Sequence, residues 1–183
     1  MVEITQRFVH VTWETLLSCM YYCSQGGKLE GEDLKIIIAS PWVTDLENPN
    51  HRISSPLLSG IETKVKRKLK NLGDLLIHLA KFYDVHVVTS EPNCSRWKSN
   101  WDSLSIARDR KFQEKLQRHG INIVYKIESH AKLISTPICH LSGSANITNN
   151  GFFNNIETMD IKKRHEPDFS QSRQIAQRLA GLL

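Results

Sequence analysis

Apolar positions recur in two rhythms along the 183 residues, and the alternation between those rhythms predicts the architecture. Between Phe8 and Tyr22, the residues Val9, Trp13, Leu16, Leu17, Met20 and Tyr21 fall at steps of three and four. That spacing predicts an amphipathic helix, with Gly26-Gly27 as its stop. Its polar face has almost no basic residues, so packing against a core or a partner is expected rather than a membrane surface. Leu34 to Ala39 is then continuously apolar apart from Lys35 and closes on Ser40-Pro41-Trp42, the mark of a buried strand. A helix follows over Leu72 to Phe82 (Leu72, Leu75, Leu76, Leu79, Phe82), then a strand over Val85 to Thr89. Leu104 to Arg118 reads as a charged helix with Ile106, Phe112 and Leu116 inward, and Gly120 ends it. Ile121 to Ile127, Lys132 to Ile134, His140-Leu141 and Glu157 to Ile161 read as further strands, with a turn at Thr136-Pro137. Ser170 to Leu182 reads as a closing helix. Helices alternating with strands predict an α/β fold, a central β-sheet covered on both faces.

The length suits one domain over residues 1–183: an N-terminal helix and lead-in over 1–33, a core over 34–161, and a C-terminal helix over 168–183. Hydrophobic content of 40% and charged content of 23% are those of an ordinary globular protein. No run of 18 apolar residues is present, and the first residues lack the pattern of a signal peptide, so a cytoplasmic location is expected. Cys19, Cys23, Cys94 and Cys139 form no framework, which fits reduced thiols. Cys19 and Cys23 have no second Cys/His pair at metal-binding spacing.

Charge changes this picture because it is uneven. Residues 1–59 carry 4 basic and 7 acidic side chains, residues 60–120 carry 13 and 7, and residues 121–183 carry 7 and 5. The densest cluster is Lys64, Lys66, Arg67, Lys68 and Lys70, which is either a solvated helix face or a polyanion-binding strip. Arg96-Trp97-Lys98, with Trp101 beyond, mixes cations and aromatics. Such a segment stacks on bases and follows a phosphate backbone, or its tryptophans simply cap the core. The long loop over 44–60 contains His51 and Arg52 within reach of a substrate, although exposed loop residues commonly have no role.

Candidate chemistry is concentrated between His130 and Glu157. His130 and Lys132 are two apart, so in an extended chain they face one way and present an imidazole and an ammonium to one anion. Gly143-Ser144-Ala145-Asn146 offers a turn with backbone N–H groups, a hydroxyl and an amide, all suitable phosphate donors. Glu157 can hold the imidazole in one tautomer. The same letters also make an ordinary loop after a strand-start histidine.

His130-x-Lys132, a spacer, Gly143-Ser144-x-Asn146 and the downstream Asn155-x-Glu157 resemble the half-site motif of the phospholipase D superfamily. Ser40-Pro41-Trp42 is similar to the end of an early core strand in such domains, and the resemblance covers about Leu34 to Ile161. The chain departs from the family at Pro137, where an Asp usually stands five residues after the Lys. The resemblance implies a mixed α/β sheet and a metal-independent phosphodiesterase that needs no cofactor. It also implies a homodimer, because the chain has one half-site and the chemistry uses two. It makes His130, Lys132, Ser144, Asn146 and Glu157 the catalytic residues. Lys64, Lys66, Arg67, Lys68, Lys70, Arg96, Trp97 and Lys98 then become candidate contacts to nucleic acid, DNA before RNA. Short members of this kind imply a nuclease of bacterial restriction or phage defence, with partner proteins of such a system. The alternative, favoured by Pro137, is a phospholipase D fold kept as a DNA-binding or scaffold subunit; a lipid substrate fits the single motif less well.

Overall fold

The computed structural model describes residues 15–19, 34–46, 69–91, 103–126, 129–148, 151 and 157–183. Its centre is a six-stranded sheet with order β3-β2-β1-β4-β5-β6. The strands are β1 (Lys35–Ala39), β2 (Asp84–Thr89), β3 (Asn122–Tyr125), β4 (Leu133–Ser135), β5 (Cys139–Gly143) and β6 (Met159–Lys163). β1, β2 and β3 run parallel, whereas β4 is antiparallel to β1 and the β4-β5-β6 meander continues antiparallel. The parallel half is built by crossovers through α1 (Leu72–Leu79) and α2 (Ser103–Arg118), and α3 (Phe169–Leu179) follows the meander.

β1 shows why its apolar run is continuous rather than alternating. Ile36 and Ile38 enter one core with Leu72, Leu75, Leu76 and Leu79 of α1 and Phe112 and Leu116 of α2. Ile37 and Ala39 enter a second core with Leu133 and with Ala176 and Ala180 of the α3 segment. Both faces are therefore covered, as a parallel sheet requires. Residues 15–19 are helical, and Leu16, Leu17 and Cys19 join the first core. The remainder of the helix expected over Phe8 to Tyr22 lies outside the described residues.

Local chemistry sets the ends of these elements. Asn71 caps α1 by accepting the Asp74 N–H at 2.9 Å. The helix stops at Leu79 rather than at Phe82, because the chain turns so that Tyr83 is buried and its hydroxyl donates to the Cys19 carbonyl at 3.0 Å. Phe82 is left 45% exposed in that turn. Gly120, at φ 79°, provides the left-handed residue after α2. The segment after β1 is tied to the first face: Leu72 N–H donates to the Leu46 carbonyl, and Gly73 N–H to Asp45 Oδ1 at 2.8 Å. Lys115 of α2 lies 3.8 Å from Asp45 and 3.5 Å from Asp74, joining both helices to that segment. Burial raises the Asp45 carboxyl above its usual range, opposed by the Gly73 N–H and the Lys115 charge. No helix among the described residues is long and apolar enough to cross a membrane.

Candidate active site

The C-terminal ends of β1, β2, β3 and β5 and the starts of β4 and β6 share one edge of the sheet. The direction of the sheet reverses between β1 and β4, and α/β folds place their sites at such a reversal. His130 and Lys132 arrive at this edge on the extended lead into β4, not within the strand, which begins at Leu133. The ladder nevertheless extends to them, since Gly143 N–H donates to the Lys132 carbonyl at 3.0 Å. Ala131 packs against the second core beside Leu133, whereas Ile134 belongs to the first. Alternation therefore places His130 and Lys132 on the α1–α2 side of the sheet. His130 is exposed and Lys132 half-buried, with the Lys132 Nζ donating to the His130 carbonyl at 3.0 Å.

The Gly143–Ile147 turn lies directly beside this pair. Ser144 is bound on every side: its hydroxyl donates to Glu157 Oε2 and accepts the Thr158 N–H at 3.0 Å. Its own N–H donates to the Thr158 carbonyl at 3.2 Å. A serine has one hydroxyl proton, and here Glu157 holds it. Ser144 thus ties the carboxylate-bearing start of β6 to the end of β5. Asn146 is reached from the other direction, by the turn after β1. Ser40 donates to the Trp42 carbonyl at 2.7 Å, accepts the Ile147 N–H at 3.1 Å, and stands 3.4 Å from Asn146 Oδ1. Thr44 N–H donates to the Ile147 carbonyl at 2.9 Å, completing a parallel bridge between Val43 and Ile147. Gly151 closes the far side. A Cβ there would stand 2.3 Å from the Asn146 carbonyl oxygen, so only glycine permits this approach.

Five predicted residues, His130, Lys132, Ser144, Asn146 and Glu157, therefore gather at one edge. Lys70 is exposed just before α1, where its backbone N–H donates to Asp74 Oδ2 at 3.3 Å. Lys64, Lys66, Arg67, Lys68, Arg96, Trp97, Lys98 and Asn155 lie outside the described residues. Among the described residues, no group of three His, Cys, Asp or Glu side chains is placed to hold a metal ion. Pro137 is in the β4–β5 turn, at the opposite end of both strands from His130. The turn is fastened by Thr136, whose hydroxyl donates to the Cys139 carbonyl at 3.0 Å and accepts the Cys139 N–H at 3.1 Å. Sequence reasoning recognised Ser40-Pro41-Trp42 as near the site but not the bonds by which Ser40 holds the Asn146 turn.

No family model matches the sequence, and no curated protein matches it. Among solved structures, the chain is similar to Nuc from Salmonella typhimurium, a phospholipase D family member, at 14% identity and a TM-score of 0.48. That alignment covers 90% of this chain and 82% of Nuc. It is also similar to NucT from Helicobacter pylori, at 12% identity and a TM-score of 0.45, over 95% of this chain and 88% of NucT.

Proposed function

We propose that the chain is a phosphodiesterase of the phospholipase D type that hydrolyses nucleic-acid phosphodiester bonds. One observation carries the reading. The backbone bond from Gly143 to Lys132 joins the His130–Lys132 pair to the turn bearing Ser144 and Asn146, at the sheet edge where its direction reverses. On this reading an imidazole, an ammonium and an amide serve one sheet edge, the donor and nucleophile set that phosphoryl transfer requires.

Two copies of the chain supply two half-sites. The imidazole of one His130 attacks phosphorus, forming a P–N bond as the P–O bond to the leaving group breaks. His130 of the partner subunit gives its proton to that leaving oxygen, then takes one from the water that cleaves the P–N bond. The two Lys132 ammonium groups and the Asn146 amide stabilise the charge on the non-bridging oxygens. Glu157, held by Ser144, takes the role of orienting the imidazole in one tautomer. The 13 basic side chains in residues 60–120 favour a polyanionic substrate over a single lipid head group.

The test is purified protein with labelled DNA, RNA or phosphatidylcholine vesicles, each in EDTA. Cleavage of nucleic acid is expected to persist, to vanish in His130→Ala and His130→Asn, and to fall about 100- to 1,000-fold in Lys132→Ala. Acid-labile phosphate should accumulate on His130 when turnover is trapped. A monomer in light scattering that still cleaves, or a fully active His130→Ala, overturns the mechanism. Binding without cleavage identifies a scaffold subunit instead.

A further inference from the structure

We infer that Ser40 is a positioning residue for the phosphate site, acting through Asn146. The inference rests on the proposed function for the role of Asn146, but the placement itself is read from the structure. Ser40 sits immediately after β1 and is only 2% exposed, so its hydroxyl has no access to substrate and cannot be a catalytic group. Its N–H donates to the Val88 carbonyl, while the bonds of its hydroxyl go to the turn and to its own loop. The proton goes to the Trp42 carbonyl at 2.7 Å, and a lone pair receives the buried Ile147 N–H at 3.1 Å. That second bond fixes the peptide that follows Asn146. The side-chain oxygen of Asn146 faces the same hydroxyl at 3.4 Å, a longer contact that leaves its NH2 group directed away from Ser40. Thr148 N–H donates to the Asn146 carbonyl at 2.8 Å, and the Gly151 backbone blocks movement on that side.

Asn146 is therefore held through the peptide that follows it and through its carbonyl, and among the described residues no hydrogen bond uses its amide NH2 group. A donor whose orientation is fixed before substrate arrives stabilises transition-state charge without reorganising. Removing the Ser40 hydroxyl leaves the buried Ile147 N–H without its acceptor, and the turn must shift to satisfy it.

The experiment combines a double-mutant cycle with a measurement independent of activity. Ser40→Ala is expected to lower kcat about 10- to 100-fold with little change in KM, since the loss is of a transition-state donor. In an Asn146→Ala background the same change should alter kcat by less than about twofold, because the group it positions is gone. Equal losses in both backgrounds overturn the inference. The second readout is the side-chain NH2 pair of Asn146 in a nitrogen–proton correlation spectrum, assigned by its disappearance in Asn146→Ala. Ser40→Ala should move or broaden that pair while most backbone signals stay in place; an unmoved pair in a folded variant refutes the positioning. Should Ser40→Ala fail to fold, Ser40→Cys keeps the size with a weaker donor and acceptor and is scored in the same way. A displaced NH2 pair in a chain with no hydrolytic activity sinks the proposed reaction and leaves the positioning standing.

Discussion

Replacing His140 by Gln should remove most of the acid sensitivity that this residue gives the fold. His140 lies in β5 at 4% exposure, paired in register with Ser135 on one side and Lys162 on the other. Among the described residues its buried Nδ1 has no hydrogen-bond partner. Burial lowers its pKa from 6.5 to about 4, and the positive charges of Lys162 and Arg173 push the same way against an opposing contribution from Asp160. The sign is fixed by those values. The folded state favours neutral imidazole, so the stability it brings is complete above pH 6.5 and is lost as pH falls toward 4. Integrating proton uptake between pH 7.5 and pH 5 gives a loss of about 2 kcal/mol from this one group. Urea unfolding of wild type and His140→Gln at both pH values measures it. Wild type should lose about 2 kcal/mol more than the variant across that interval. Equal pH dependence in the two proteins would refute the assignment, whatever their absolute stabilities.

Asp109 has the opposite sign. It is 3% exposed with Arg108 Nε 3.7 Å from its Oδ1, and burial raises its pKa to about 6 against the pull of Arg108, so its ionisation above that pH weighs against folding. Asp109→Asn is expected to raise stability at pH 7.5 by on the order of 2–3 kcal/mol and to have little effect at pH 3.5, as read by urea midpoints. Gly151→Ala should destabilise by about 1–3 kcal/mol through collision with the Asn146 carbonyl, and should lower hydrolysis beyond what the shift in melting temperature explains. Thr136→Val should cost about 1–3 kcal/mol in thermal unfolding by leaving the Cys139 N–H without its hydroxyl acceptor. At temperatures well below its melting point, it should hydrolyse substrate at the wild-type rate.

The parts of the fold legible in the sequence are those where neighbours in the chain do the same job. The continuous apolar run of β1 reports two covered faces, and the spacing of Leu72, Leu75, Leu76 and Leu79 reports one buried helix stripe. Phe82 continued that spacing and drew the expected helix three residues too far, because rhythm does not reveal where Tyr83 finds its partner on residues 15–19. Asp109 stands three and seven residues before Phe112 and Leu116, so helical spacing puts it on their buried stripe, and only its charge argues for an outward position. The candidate motif was legible because its pieces fall within 28 residues, close enough for spacing to have meaning. The Ser40 contacts join positions 106 and 107 residues apart, and only the return of β4 alongside β1 brings them together.

The same return decides what the missing aspartate means. Counting along the sequence, Pro137 is five residues from Lys132 and looks like a defect in the motif. Three of the intervening residues are β4, and at about 3.3 Å per residue a strand carries the chain roughly 10 Å in its own length. The edge with His130 and Lys132 and the turn with Pro137 are therefore the two ends of one strand. A side chain at position 137 stands at the far end of β4 from His130. In this chain the turn is closed by the Thr136 hydroxyl and sits beside β5 residues Cys139 and His140, under the Arg173 guanidinium that donates to Ser135 Oγ at 3.2 Å. What that turn contributes is the register of β4 on β5, and it is this register that brings Gly143 opposite Lys132. Substitution at Pro137 is therefore expected to shift the unfolding midpoint and to leave hydrolysis at the wild-type rate.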